Sequence, residues 1–235
     1  MSVGIRLHVW GELACFTRPE MKVERVSYDV ITPSAARGIV ETIYWKPEIR
    51  WIVTRLLVLN PIRFTSLRRN EVASKAPAGS ISKAMKSGHG NLALYVEEDR
   101  QQRASTLLRD VAYIIEARFE IIAGEDNPGK HLDQFNRRAR SGQCHTRPYL
   151  GCREFPADFV LIEGETTPPH VHDEFRGERD LGYLLHDIEY VLDPDGPIVD
   201  GHRGERWRAE PRFFRAVMRD GVIDVPPLNA KGVKS

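Results

Sequence analysis

An α+β fold is predicted by three observations. Apolar residues alternate along several short segments, two segments carry helix-start signals, and the elements run strand–helix–strand–strand and then strand–helix–strand. Residues 3–10 alternate Val3, Ile5, Leu7 and Val9 with Arg6, His8 and Trp10, the pattern of a half-buried strand. Thr32-Pro33 opens a helix, with threonine as N-cap and proline at the first helical position. Ala36, Ile39, Val40 and Ile43 fall on one face of it. The helix is predicted to reach about Trp45, because Lys46-Pro47 cannot continue it. Residues 49–59 are rich in branched apolar side chains and predict a central strand, and Asn60-Pro61 turns the chain into another near 62–68. Residues 76–91 hold Pro77, Gly79, Gly88 and Gly90 among serines and lysines and predict a basic loop.

Val111, Tyr113, Ile115, Ala117, Phe119 and Ile121 alternate through a strand at 109–122. Asn127-Pro128-Gly129 ends that stretch, a basic helix follows at about 130–141, and Phe159–Ile162 makes a further strand. This order predicts a ferredoxin-like unit with an enlarged β-hairpin in its middle, the general (RRM-like) scaffold of RNA-recognition modules. From about residue 164 the chain turns to prolines, acids and glycines, with strand-like pieces at 182–192 and 205–219. The predicted division is a ferredoxin-like N-terminal domain over 1–163 and a smaller β-rich C-terminal domain over 164–235.

With 41% hydrophobic and 29% charged residues, the composition is that of a soluble globular protein. No apolar run approaches the roughly 18 residues of a membrane span, and the first residues lack a signal peptide's apolar core, so no membrane partner and a cytoplasmic location are expected. The three cysteines, Cys15, Cys144 and Cys152, form no CxxC pair, and their odd number argues against a disulfide framework. Cys144-His145 and His170-Val171-His172 have metal-ligating side chains, but their spacing matches no closed zinc site. No metal and no cofactor are expected.

The net charge of +1 gives no reason by itself to expect a nucleic-acid partner, but the distribution of charge does. Residues 63–90 hold six Lys/Arg against one acid, residues 127–153 repeat that ratio, and residues 163–189 carry eight acids against two arginines. Such segregation creates a local positive field on a nearly neutral molecule unless folding interleaves the segments. Arg68, Arg69, Lys83, Lys86, Arg137, Arg138 and Arg140 are the candidate RNA contacts, and a solvated helix face is the alternative for the last three.

Within the second basic segment, Lys130 and His131 sit side by side where the helix begins. Histidine trades protons near neutrality, and lysine can hold a phosphate or offset charge in a transition state. These residue types suit metal-free cleavage of RNA. The competing reading is a surface pair, with Lys130 bound to Asp126 or Asp133.

Gly11–Pro19 after the first strand, Glu41-Thr-Ile-Tyr-Trp-Lys-Pro47 at the end of the first helix, and Gly129-Lys130-His131 occur in a specific order. In that order and spacing they closely resemble the CRISPR-associated RAMP-superfamily protein of subtype I-C (Dvulg) systems. Ser27–Val30, Pro33–Ile39 and Leu150–Glu154 extend the match, which covers roughly residues 3–160. The resemblance implies a dedicated endoribonuclease that cuts CRISPR precursor RNA within each repeat and stays on the 5′ handle of the guide RNA in the interference complex. It also implies that Tyr44, Lys130 and His131 are catalytic. Without a metal, the accessible nucleophile is the substrate's own 2′-hydroxyl, leaving a 2′,3′-cyclic phosphate and a 5′-hydroxyl. The expected partners are the repeat RNA, the mature guide RNA and the other subunits of the complex. Double-stranded DNA is a further candidate, and the acidic C-terminal third is expected to face protein partners. The alternatives are a non-catalytic RNA-binding scaffold, in which Tyr44 is a core aromatic, and a general binder of double-stranded nucleic acid.

Overall fold

The structure is a computed structural model that describes residues 4–75, 77–90, 92–124, 127–164, 172–193 and 207–234. Strand β1 (Gly4–Ala14) buries Ile5, Leu7 and Val9 and turns Arg6, His8 and Trp10 outward, as its alternation predicts. Helix α1 (Pro33–Ile43) starts at Thr32, whose Oγ1 accepts a hydrogen bond from the Ala35 N–H at 3.2 Å, with Pro33 in the first turn. Its buried stripe is Pro33, Ala36, Ile39, Val40 and Ile43. The helix stops at Ile43, two residues earlier than predicted. Tyr44 is already extended (φ −153°, ψ 119°), and its N–H still bonds the Val40 carbonyl. That early exit proves to matter for the site.

Strands β2 (Ile49–Val58) and β3 (Phe64–Val72) follow, then helix α2 (Ala78–Ser87) and strand β4 (Arg100–Ile121). The predicted loop at 76–91 is therefore a correction: most of it is helix, closed by Gly88 in the left-handed conformation (φ 70°). No residue of α2 is buried, so the helix lacks the inward apolar face by which a sequence announces one. β4 begins nine residues before the predicted start. Its first half pairs with β3 as a ribbon (Arg100↔Val72 to Leu108↔Phe64), and its second half lies between β1 and β2.

Helix α3 (Pro128–Arg140) is capped by Asn127, whose Oδ1 accepts from the Gly129 N–H at 2.8 Å, and it buries His131, Phe135 and Ala139. β5 (Asp158–Leu161), a short 3-10 turn (Asp173–Phe175), β6 (Glu178–Leu192) and β7 (Trp207–Arg219) come next. Two pieces too short to read from sequence, β8 (Val222–Asp224) and β9 (Val233–Lys234), complete the described elements.

All described strand pairs are antiparallel and join one sheet in the order β5-β1-β4-β2-β8-β7-β6, with β3 on β4 and β9 on β7. The fold is thus a mixed α/β structure dominated by antiparallel sheet. The sheet continues past residue 164, because β2 pairs with β8 (Arg55↔Asp224 to Leu57↔Val222). Arg37 on α1 adds a second link, gripping Asp187 of β6 with Nε at 2.9 Å and Nη2 at 2.8 Å while also bonding Glu41. The forked geometry and partial burial make this a stronger tie than an exposed ion pair.

The loop after α3 is pressed onto β1. A Cβ on Gly11 would meet Leu150 Cδ1 at 2.6 Å and the Pro156 carbonyl oxygen at 2.8 Å. Gly151 is more constrained: it sits at φ +84°, and a Cβ there would meet the Cys15 carbonyl oxygen at 2.1 Å. Gly151→Ala is expected to destabilise the chain by roughly 3 kcal/mol, from left-handed strain plus overpacking. Urea unfolding midpoints check this, and an unchanged midpoint would refute the close approach.

Candidate active site

Tyr44 and His131 are 87 residues apart in the chain and meet in the core. The phenol oxygen lies 2.9 Å from Nδ1 of His131, and the rings are 6.0 Å apart at 49°. Tyr44 is delivered by the end of α1. Having left the helix, its carbonyl accepts a hydrogen bond from Trp51 Nε1 of β2 at 2.8 Å. His131 is delivered by the first turn of α3, seated by Phe135 one turn further on. Trp51 stands between Phe119 (5.3 Å) and Phe135 (5.0 Å), and Phe119 presents to His131 at 5.8 Å. An aromatic cage from two helices and two strands therefore fixes both side chains. The pair is covered: Tyr44 is 4% exposed and His131 1%.

Lys130 is exposed, although it precedes His131 directly. Successive helical residues point about 100° apart, so the adjacency seen in the sequence becomes a split, one side chain toward solvent and one toward the core. Of the candidate partners for Lys130, Asp126 lies outside the described residues, as does His170 of the metal-ligating pair. Among the described residues no group of three or more His, Cys, Asp or Glu side chains is placed to hold a metal ion.

The basic residues divide by what they touch. Arg138 is half-buried: Nη1 donates to the Ile43 carbonyl at 3.0 Å, and the guanidinium carbon stands 5.7 Å from the Tyr44 ring centroid. It thus occupies one of the carbonyls that α1 leaves open at its end and ties α3 to the Tyr44 corner. This role was not legible in the sequence. The loop after α3 adds a further tie, His145 N–H to the Thr42 carbonyl at 2.7 Å. Arg140 pairs with Glu163 through Nε (2.9 Å) and Nη2 (2.5 Å), and Arg137 bonds Gln134. Arg69 is held by Glu154, by Glu71 at 3.5 Å and by Ser105 at 3.1 Å. Arg68, Lys83 and Lys86 are exposed on β3 and α2.

This architecture is shared with two solved structures, each 23% identical with a TM-score of 0.64. One is a CRISPR-associated protein, matched over 100% of this chain and 97% of that one. The other is a functionally uncharacterized protein of Streptococcus mutans, matched over 100% and 98%. The fold is thus that of a CRISPR-associated protein. Two relatives, each named CRISPR pre-crRNA endoribonuclease Cas5d, are nearer in sequence. That of Mannheimia succiniciproducens is 51% identical over 239 residues, covering all of both chains. That of Thermus thermophilus is 43% identical over 227 residues, covering 94% of this chain and 91% of the relative. The family model Cas_Cas5d, described as CRISPR-associated protein (Cas_Cas5), matches residues 4–226, and the chain belongs to that family. The resemblance carried by Tyr44–Pro47 and Gly129–His131 therefore pointed to the right family.

Proposed function

We propose that the chain is an endoribonuclease that cleaves CRISPR precursor RNA within its repeats, without a metal, through Tyr44, Lys130 and His131. The observation that carries this reading is the 2.9 Å contact between the Tyr44 hydroxyl and His131 Nδ1. It joins two of the three proposed catalytic residues across 87 positions of chain, with the third on the adjoining helical residue. The relatives' name, pre-crRNA endoribonuclease, supports the substrate class.

The chemistry follows from the tautomer. When Nδ1–H donates to the Tyr44 oxygen, Nε2 carries a lone pair and can accept the proton of the attacking 2′-hydroxyl. When the phenol donates to Nδ1, Nε2 carries the proton instead. Tyr44 thus selects which way His131 serves, as base toward the nucleophile or as acid toward the leaving 5′ oxygen. Lys130 offsets charge on the phosphorane, for which its exposure suits it. One imidazole, one phenol and one ammonium are not a ligand set for a catalytic divalent ion, which wants several carboxylate or imidazole donors; this supports the metal-free reading. Because the pair is covered in the RNA-free chain, RNA binding must expose His131 for the reaction to proceed.

We read residues 1–163 as a ferredoxin-like domain. Its support is the strand order β5-β1-β4-β2 with α1 and α3 as the two crossover helices, the β3–α2 excursion being the enlarged hairpin. That excursion carries Arg68, Lys83 and Lys86 on an arm with little buried surface, suited to track an RNA backbone. Arg137 extends the proposed contact surface, and Arg69, Arg138 and Arg140 would reach phosphate by exchanging present partners. Residues 164–235 form the second unit of the proposal. They carry most of the acidic 163–189 stretch, which would face the other subunits of the guide-RNA complex in the cytoplasm.

A non-catalytic scaffold is favoured by one observation, the burial of Tyr44 and His131, and a single experiment separates the two. The pure protein is incubated with its repeat RNA in EDTA, and the fragment ends are mapped. The expected result is one cut bearing a 2′,3′-cyclic phosphate, lost when the hydroxyl just upstream is replaced by hydrogen. Tight binding without a cut would leave the scaffold.

A further inference from the structure

Away from the Tyr44–His131 corner, the loop 148–157 brings a second reactive group against β1. The backbones close because Gly151 has no Cβ: Cys15 N–H bonds the Leu150 carbonyl at 3.0 Å, and Cys152 Sγ reaches the Cys15 carbonyl at 3.6 Å. Cys152 is only partly covered and Cys15 is fully buried, so the two thiols meet at the edge of the core rather than deep within it. Arg25 Nη1 points at Cys152 Sγ from 3.2 Å, and the Thr17 hydroxyl stands between the sulfurs, 3.5 Å from Cys15 Sγ and 3.9 Å from Cys152 Sγ. A cavity of about 280 Å³ lies nearby, with Thr17 and Gly151 but neither cysteine in its wall.

We propose that Cys152 and Cys15 form a thiol redox site: Cys152 attacks small hydroperoxides, and Cys15 resolves the product as an intramolecular disulfide. In the first step the Cys152 thiolate attacks one peroxide oxygen. The O–O bond breaks, the sulfur takes the terminal OH and is oxidised to sulfenic acid, and the other oxygen leaves as hydroxide (from hydrogen peroxide) or alkoxide (from an organic hydroperoxide), which takes up a proton. In the second step Cys15 sulfur attacks the sulfenic sulfur, the S–S bond forms, and the displaced hydroxide leaves as water with the Cys15 proton. Sulfur supplies two electrons in all, and the peroxide takes them.

The division of labour between the thiols follows from their surroundings. The hydrogen bond from Cys15, with the Arg25 charge and the Thr17 hydroxyl behind it, pulls the Cys152 thiol down to about 6, against the opposing effect of burial. Cys15 moves upward, through the same shared hydrogen bond and its own burial, and keeps the proton. A thiolate beside a guanidinium, with a protonated partner in contact, is the arrangement a peroxide-reactive cysteine needs. Arg25 also lies 3.8 Å from Glu154, which holds Arg69, so oxidation of Cys152 removes an anion from a network that reaches the basic β3–β4 ribbon.

The test uses the full chain as it stands. The wild-type protein is treated with stoichiometric hydrogen peroxide and mapped by peptide mass spectrometry. The expected product has lost two hydrogen atoms and contains a Cys15–Cys152 cross-linked peptide that dithiothreitol reverses. Cys144, which is exposed and serves as an internal control, remains reduced. In Cys15→Ser, Cys152 instead accumulates as a sulfenic acid trapped by dimedone. In the unoxidised wild type, alkylation of Cys152 by iodoacetamide rises through about pH 6. Oxidation of Cys144 ahead of an unmodified Cys152 would overturn the proposal, as would a Cys152 alkylation profile that rises only near the ordinary thiol value of 9.0. Neither wild-type readout depends on a variant folding.

Discussion

His131→Ala is expected to lower the single-turnover rate of repeat-RNA cleavage by roughly 100- to 10,000-fold, the range for loss of a proton-transfer group. RNA affinity is expected to stay close to that of the unaltered chain, because phosphate contacts by the basic residues, not one imidazole, carry most of the binding. Tyr44→Phe keeps the ring in its aromatic cage and removes only the oxygen that lies 2.9 Å from Nδ1. It is expected to give an intermediate loss, since the imidazole loses the partner that selects its tautomer. Lys130→Ala, at an exposed position, should cost about 100-fold through transition-state charge and leave thermal stability unchanged. A folded His131→Ala protein that cuts at the wild-type rate would sink the assignment and return the Tyr44–His131 pair to a structural role.

The sequence exposed those parts of this molecule that obey a local rule. The Thr32-Pro33 cap, the Ala36–Ile43 stripe and the β1 alternation all describe contacts made by one element with one core, and each appears where it was expected. Helix α2 and the first half of β4 were hidden for a shared reason. α2 buries nothing, and Arg100–Ala104 is mostly polar and exposed, so neither carries an apolar period. The β2–β8 pairing that carries the sheet beyond residue 164 is a choice of partner, which no local pattern encodes. At the site, residue types and order were legible while geometry was not. Lys130 and His131 read as a matched pair, yet the helical rotation sends one to solvent and one to the core. Arg138 read as one of three similar arginines, yet it is the one that binds the end of α1 beneath Tyr44. The Cys15–Cys152 contact was equally invisible, since it depends on two glycines that let a distant loop press against β1.

Trp51 is where stability and catalysis are coupled most tightly. It is 1% exposed, packs on Phe119 and Phe135, and donates its indole N–H to the Tyr44 carbonyl. Trp51→Ala is expected to cost roughly 3–5 kcal/mol through the cavity left among these rings. That is a large part of the roughly 5–15 kcal/mol that holds a typical domain folded, and it would show as a marked drop in the urea midpoint. Trp51→Phe isolates the second function of the residue. A smaller aromatic ring remains and the hydrogen bond does not, so the stability loss should be below that of Trp51→Ala, about 1–2 kcal/mol from a buried carbonyl deprived of its donor plus the packing lost with the second ring. Tyr44 then keeps only its N–H bond to the Val40 carbonyl to fix its backbone just after α1 ends, and its hydroxyl is held less firmly against His131. The cleavage rate at saturating RNA should fall while affinity is retained, when measured well below the unfolding transition. If Trp51→Phe lowers stability but cuts RNA at the full rate, the indole hydrogen bond serves folding alone, and Tyr44 must be positioned by Arg138 and the rings around it.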